Sequence, residues 1–242
     1  MKVVWGFDNP PQLRNGVATV GSYDGVHCGH RILLGEVVRH AKACGGESAV
    51  LTFEPHPRIT LGNDEGLQLL STFEEKCALL EREGVDYVVV IPFDKEFSRL
   101  SREEFINDYL VEKLGVKQLI VGYNHHFGHN KEGNHSFLVQ QGVLQVVEIA
   151  QYTDNGNKVS STTIREALRD GNLPLVRQML GHPYIIIGMA NYRGEVAVDK
   201  YKLLPRDGSY PCTINGKIGE CEVHNGILSQ NGCFSQKIVI EL

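Results

Sequence analysis

The 242-residue chain contains no apolar run approaching the ~20 residues of a bilayer-spanning helix, so no membrane partner is expected. Its first residues, Met1-Lys2-Val3-Val4-Trp5-Gly6-Phe7-Asp8, lack the long apolar core and small-residue cleavage site of a secretion signal. No block of basic residues stands out. Lys and Arg (24) are outnumbered by Asp and Glu (29), giving a net charge of −5 and little support for a nucleic-acid partner. No C-x-x-C pair occurs: the six cysteines, at 28, 44, 77, 212, 221 and 233, are scattered, as expected of free thiols in a reducing cytoplasm. Cys28 lies in a glycine-rich turn without a general-base arrangement, so no side-chain nucleophile is expected. The chain has no internal repeat and no low-complexity tract. What is present, 42% hydrophobic and 22% charged residues, suits one large soluble domain or one large and one small.

Apolar runs at 17–20, 48–53, 86–91, 118–122 and 143–149 read as five strands. Between them, apolar residues at 33, 34, 37, 38 and 41 recur with the spacing of one helix face. Ser71-Thr72-Phe73-Glu74 has the pattern of a capping box opening a helix to about 84, and Ser101 with Glu104 opens another to about 114. Nearly continuous apolar strands alternating with helices predict a parallel α/β sheet covered on both faces, of the Rossmann-like kind. From about His182 the pattern changes to short alternating stretches separated by Asn215-Gly216, Asn225-Gly226 and Asn231-Gly232, which are hairpin signals. The predicted organisation is an α/β domain over 1–182 and a small antiparallel β domain, a sheet or barrel, over 183–242.

In parallel sheets, ligands bind at the carboxyl ends of strands, and the unusual stretches fall there. The first strand runs into Gly21-Ser22-Tyr23-Asp24-Gly25-Val26-His27-Cys28-Gly29-His30-Arg31. A glycine-rich turn into a helix presents bare N–H groups and a positive helix end, a site suited to phosphate. His27 and His30, three apart, are placed to donate to one anion, and no third ligand stands nearby at a zinc spacing. Histidines 27, 30, 56, 125, 126 and 129 are expected to converge on one rim. Further on, Ser160 or Ser161 would cap a helix in which Thr162, Thr163 and Arg165 add hydroxyls and a guanidinium to a second anion site. Two such sites on one rim would suit a triphosphate.

With these residues in view, the chain resembles the bacterial bifunctional riboflavin kinase/FAD synthetase family, chiefly over 15–183. Residues 21–30 are similar to the family's G-x-F-D-G-V-H-x-G-H, Thr52-Phe53-Glu54-Pro55-His56-Pro57 to T-F-x-P-H-P, and Gly122-Tyr123-Asn124-His125-His126-Phe127-Gly128 to G-x-[DN]-x-x-F-G. Ser160-Ser161-Thr162-Thr163-Ile164-Arg165 resembles S-S-T-x-I-R, and Leu180-Gly181-His182-Pro183-Tyr184 resembles the junction L-G-R-P-Y. The resemblance implies an FMN adenylyltransferase: the FMN phosphate attacks the α-phosphorus of ATP, releasing pyrophosphate and giving FAD. It assigns His27, His30 and Arg165 to catalysis, and Gly21, Ser22, Tyr23, Asp24, Gly29, Ser160, Ser161 and Thr162 to ATP. His56, Pro57, Asn124 and Phe127 would contact FMN, and Asp24 would orient the loop or a metal-bound water. Mg²⁺ is expected to be held mainly by ATP phosphates, with no protein metal site.

The C-terminal part departs from the family. Residues 188–200 lack the Pro-Thr-Ala-Asn of the kinase motif G-F-P-T-A-N, although Lys202-Leu203-Leu204-Pro205 and Gly208-Ser209-Tyr210 still resemble K-L-L-P…G-V-Y. The chain also ends at Leu242, before the family's C-terminal helix. Glu220 or Glu222 is available as a kinase base, but without a Mg-ATP platform no riboflavin kinase activity is expected. The alternatives are a bifunctional enzyme that keeps the kinase, or a non-catalytic flavin-binding paralogue. The latter draws on Tyr23 and Arg31, where the family has Phe and commonly Gln. Transferases with another acceptor fit less well, because they would lack the T-F-x-P-H-P and G-x-[DN] elements.

Overall fold

A computed structural model of the chain describes residues 1–123, 127–128, 133–154, 157–230 and 236–242. They fall into two compact units. The first comprises Met1–Tyr23, His30–Gly66 and Leu80–Tyr152, and the second Asp24–Gly29, Leu67–Leu79 and Thr153–Leu242.

The first unit is built on six strands, β1 (Lys2–Trp5), β2 (Gly16–Val20), β3 (Ser48–Glu54), β4 (Tyr87–Pro92), β5 (Val116–Gly122) and β6 (Gln145–Ile149). They pair in parallel in the order β1-β4-β3-β2-β5-β6. Five of them are the apolar runs of the sequence. The sixth, β1, went unread because an edge strand of four residues, mostly exposed, carries little hydrophobic signal. Parallel neighbours require crossovers, and α1 (Cys28–Ala43) supplies the one between β2 and β3. Val17 and Ile120 pack with Val37 and Ala41 of α1 on one face of the sheet. Their sequence neighbours Ala18, Leu119 and Val121 pack on the other, against Phe105, Ile106, Leu110, Phe137 and Leu138. Every residue of β2 is consequently buried, which is why these strands lack alternation in the sequence.

The helices depart from expectation in two places. α2 (Pro57–Thr60) is a single turn, and α3 (Phe73–Arg82) is capped one residue later than predicted. Thr72 N–H donates to Glu75 Oε2 (2.8 Å) and Glu75 N–H to Thr72 Oγ1 (3.3 Å), so Thr72 and Glu75 form the reciprocal pair instead of Ser71 and Glu74. Ser101 and Glu104 do form the predicted box at α4 (Arg102–Glu104), but the segment continues as a π-helix, Phe105–Lys113. α5 (His135–Gln141) completes the helices of this unit.

In the second unit the described residues form a short ribbon, β7 (Thr153–Asp154) with β8 (Asn157–Lys158), then α6 (Ser161–Arg169) and α7 (Leu173–Leu180). Six antiparallel strands follow: β9 (Ile185–Ala190), β10 (Glu195–Ala197), β11 (Gly208–Ile214), β12 (Lys217–His224), β13 (Ile227–Gln230) and β14 (Gln236–Glu241). They close in the order β10-β13-β12-β11-β14-β9, so the predicted small antiparallel domain is a barrel without free edges. Asn215 (φ 48°) with Gly216 (76°), and Asn225 (51°) with Gly226 (75°), have the two positive φ values of a type I′ hairpin. The third Asn-Gly pair, 231–232, lies outside the described residues. Gly188 has a packing reason, since a Cβ there would stand 2.6 Å from Val196 Cγ1 and 2.7 Å from the Ala197 carbonyl oxygen. Cys28, Cys44, Cys77, Cys212 and Cys221 are free thiols, and burial pushes the Cys221 thiol up to about 12, an inert cysteine. Cys233 lies outside the described residues.

One ion pair is completely buried. Lys202 and Glu75 have side-chain exposures of 0% each, with Nζ 2.7 Å from Oε2. Nζ also donates to the carbonyls of Leu70 (2.7 Å) and Ile185 (2.6 Å), so all three ammonium protons are used. Replacing one member leaves the other charge buried and uncompensated, whereas replacing both by uncharged groups of similar size does not. Lys202→Ala is therefore expected to cost about 3–5 kcal/mol of unfolding free energy. The double variant Glu75→Gln/Lys202→Met should lose clearly less in urea denaturation. Equal losses would contradict this account.

Candidate active site

In the first unit the strand order turns back at β2: β3, β4 and β1 lie to one side, β5 and β6 to the other. Doubly wound sheets bind ligands outside the carboxyl ends of the strands at such a switch point. Here β2 runs into Gly21, Ser22 and Tyr23, and β5 ends at Gly122, followed by Tyr123. Asn124, His125, His126 and His129, which the sequence places at this end, lie outside the described residues.

Tyr23 has a left-handed backbone (φ 48°) and is buried. Its hydroxyl, extra relative to the Phe of the family motif, lies 2.6 Å from Thr19 Oγ1, and its ring meets His30 edge-on at 5.1 Å. The residue thus backs the His30 imidazole and its hydroxyl is satisfied within the unit. Arg31 pairs with Glu83 at 2.7 Å, which answers its charge locally. Gly21 N–H donates to the Leu51 carbonyl (3.0 Å) and Ser22 is exposed. His56 caps α2, with Nδ1 accepting from the Arg58 N–H at 3.2 Å, and Pro57 takes the first helical position. With Nδ1 accepting, the neutral ring carries its proton on Nε2. Phe127, a candidate FMN contact, is 8% exposed, and its ring lies 6.0 Å from that of Phe105.

In the second unit, Asp24 is the centre of a network. It is 5% exposed. Arg165 Nη2 donates to Oδ2 (2.5 Å) and the Ser71 N–H to Oδ1 (2.9 Å). Arg165 Nε donates to the Gln68 carbonyl (2.7 Å), while the Gln68 side-chain oxygen accepts from Arg169 (2.7 Å). Of the two roles considered for Asp24, orienting the loop is the one its contacts serve. Arg165 is 22% exposed and keeps further guanidinium donors beyond these two bonds. Ser160 caps α6 reciprocally with Thr163, Ser161 Oγ donates to the Asp24 carbonyl (3.0 Å), and Thr162 is exposed on the first turn. Asp24, Ser161 and Arg165, separated by some 140 residues in the chain, are thus brought together.

His27 is 8% exposed, and burial pulls its imidazole down to about 4 against the weaker upward pull of the Asp24 carboxylate. At neutral pH it is an uncharged ring. Ser71, Gln68 and His182 belong to this network but were not read as site residues. Ser71 lies in a capping-box pattern, His182 stands in the junction motif without a site role, and Gln68 belongs to no motif.

Among the described residues, no cluster of three or more His, Cys, Asp or Glu side chains is placed to hold a metal ion. No helix of the described residues is long and apolar enough to cross a membrane.

The fold defines the class: an α/β protein with a six-stranded parallel sheet and, in its second unit, a closed antiparallel barrel. The family model for FAD synthetase matches residues 9–163. The bifunctional riboflavin kinase/FMN adenylyltransferase of Escherichia coli strain K12 is 35% identical over 201 residues, 81% of this chain and 64% of that protein. The protein of the same name from Buchnera aphidicola subsp. Schizaphis graminum is 34% identical over 243 residues, 98% of this chain and 75% of that one. A solved structure of a macrolide-efflux protein from Streptococcus pneumoniae matches with a TM-score of 0.83 at 20% identity, covering 99% of this chain and 89% of that one, a likeness of fold alone. The chain belongs to the FAD synthetase family. It spans 64% of the length of the Escherichia coli relative.

The His27 environment makes stability depend on pH. The unfolded chain protonates His27 near 6.5, the folded chain only near about 4, so the unfolded state binds more protons in between. Stability is expected to fall as pH drops through that window, by roughly 3 kcal/mol once below it. Unfolding free energies measured from pH 7 to pH 4 should show a shallower decline for His27→Gln. Identical slopes would rule the effect out.

Proposed function

We propose that the protein is an FMN adenylyltransferase that converts FMN and ATP to FAD and pyrophosphate, and that it has no riboflavin kinase activity. The observation that carries this reading is the Asp24–Arg165 network, which joins two separate family motifs around the residues that precede α1. Residues 1–182 would form the transferase module and 183–242 a reduced barrel.

Adenylyl transfer asks the protein for in-line positioning and for donors to the phosphate oxygens, not for a nucleophilic side chain. In this reading uncharged His27 donates an N–H to the ATP phosphates, beside the backbone N–H groups at Gly29 and the α1 start, and His30 is assigned to the same phosphates. Arg165 contributes the guanidinium donors left over from Asp24 and Gln68, with Thr162 beside it. Gly21, Ser22 and Tyr23 line the ATP side, Tyr23 by backing the His30 ring. His56, Pro57, Asn124 and Phe127 are assigned to FMN. Mg²⁺ would enter with ATP as part of the substrate, since Asp24 spends its carboxylate on Arg165 and Ser71. A reducing cytoplasm fits the free thiols.

The absence of kinase activity is supported by the residues around β9 and β12. Asn191, which ends the altered motif, is engaged in its own turn, accepting from the N–H groups of Arg193 (2.9 Å) and Glu195 (3.1 Å). Glu220 and Glu222 sit at exposed positions of β12.

Incubation with FMN, ATP and Mg²⁺ is expected to yield FAD and pyrophosphate; no FAD above an enzyme-free blank would refute the assignment. Riboflavin with ATP is expected to give no FMN, and steady FMN formation would restore the bifunctional alternative. His30→Ala should lower turnover by roughly 10²–10³, as loss of one preorganised donor does.

A further inference from the structure

The turn leading into α1 follows a strained path. Gly25 has φ 81° and Val26, a β-branched residue, has φ 41°. Left-handed backbone at a β-branched residue is an outlier that persists only where its surroundings over-determine it. Those surroundings are specific. The Gly25 N–H donates to Ser71 Oγ (2.9 Å), and its carbonyl faces His182 Nε2 (3.1 Å), while Nδ1 of the same ring faces the Pro183 carbonyl (2.7 Å); both carbonyls accept from the ring when it carries both protons. Ser71 is 2% exposed, and its own N–H holds the Asp24 carboxylate at 2.9 Å. Gly25 itself cannot be replaced without displacing this grip, because a Cβ would stand 2.9 Å from Leu70 Cδ1. His182 occupies the place of the Arg in the family's L-G-R-P-Y junction, and either side chain can donate to a carbonyl.

We propose that Ser71 and His182 are positioning residues for adenylyl transfer, gripping Gly25 at its N–H and its C=O, on the two peptide groups that flank it, so that the turn delivers His27, Cys28 and Gly29 to the phosphates. This rests on the adenylyltransferase reading above. Neither side chain has to touch substrate. Removing the Ser71 hydroxyl leaves a buried N–H without an acceptor, which the turn relieves by relaxing toward ordinary φ values. The consequence falls on the phosphate-binding N–H groups that follow, and not on the barrel or the sheet.

Ser71→Ala and His182→Gln, made in the full chain, are each expected to raise KM for ATP roughly three- to ten-fold, the worth of one hydrogen bond. KM for FMN should stay at the wild-type value, the thermal midpoint should stay within a few degrees, and His182→Arg should restore KM for ATP. His182 is half-buried, so its variants keep the test open if Ser71→Ala does not fold. Unchanged KM for ATP in the folded variants would overturn the proposal. So would equal rises for ATP and FMN together with a lowered midpoint, the mark of general loosening. If the wild-type protein binds ATP but makes no FAD, the adenylyltransferase reading fails; calorimetric ATP affinities of the same variants then decide the positioning role separately.

Discussion

The second unit depends on one buried contact, the ion pair of Lys202 and Glu75. A lysine with no exposed surface is held below its usual range by burial and kept charged only through what surrounds it. Here every donor is answered, by one carboxylate oxygen and two backbone carbonyls. Glu75 is equally occupied, since Oε2 also takes the Thr72 N–H that caps α3 and Oε1 takes the Ile187 N–H at 2.7 Å. The pair sits among apolar residues of the same unit, with Leu70, Tyr184, Ile185 and Ile186 buried. Its effect is directional: it fixes one register between the start of α3, strand β9 and the segment around Lys202, because any slip leaves a charge unpaired in low dielectric.

That register extends to the turn before α1. Leu69 donates to the Tyr201 carbonyl (2.7 Å) and accepts from Leu203 N–H (2.9 Å), so the segment ahead of α3 is laid along the Lys202 segment. The Tyr184 hydroxyl holds the Leu203 carbonyl from behind at 2.6 Å. The same short segment then supplies Gln68 to Arg165 and Ser71 to Asp24 and Gly25. Strain at Val26 is thus balanced by hydrogen bonds whose other ends are themselves pinned by a buried charge. A flexible tether could not do this, because a turn held against its preferred φ values needs partners that do not move with it.

Much of this was legible in the sequence, and the rest was hidden for identifiable reasons. Runs buried on both faces announce parallel strands, and two Asn-Gly pairs announced the hairpins they form. The exposed edge strand β1 gave no such signal. The capping box slipped by one residue because Ser71-Glu74 and Thr72-Glu75 satisfy the same local pattern, and only the pull of Lys202 on Glu75 separates them. The π-helical stretch Phe105–Lys113 has no distinct period to read over nine residues. Asp24, Ser161 and Arg165 could each be singled out by motif, yet their mutual bonds span some 140 residues and belong to tertiary structure. His182 and Ser71 were invisible as site residues for the same reason: what matters about them is the peptide they hold.

The closed barrel becomes intelligible in these terms. A six-stranded barrel that has closed presents no edge, so loss of any strand would expose two unpaired ladders and cost more than the strand's own contacts. β9 is doubly constrained, because its Ile185 carbonyl and Ile187 N–H are partners of Lys202 and Glu75. Both bonds come from the first half of the strand, so residues 188–190 can vary without touching them. Lys202, the first residue of the K-L-L-P resemblance, is constrained by its work on the backbone of its own unit, whatever chemistry the barrel carries.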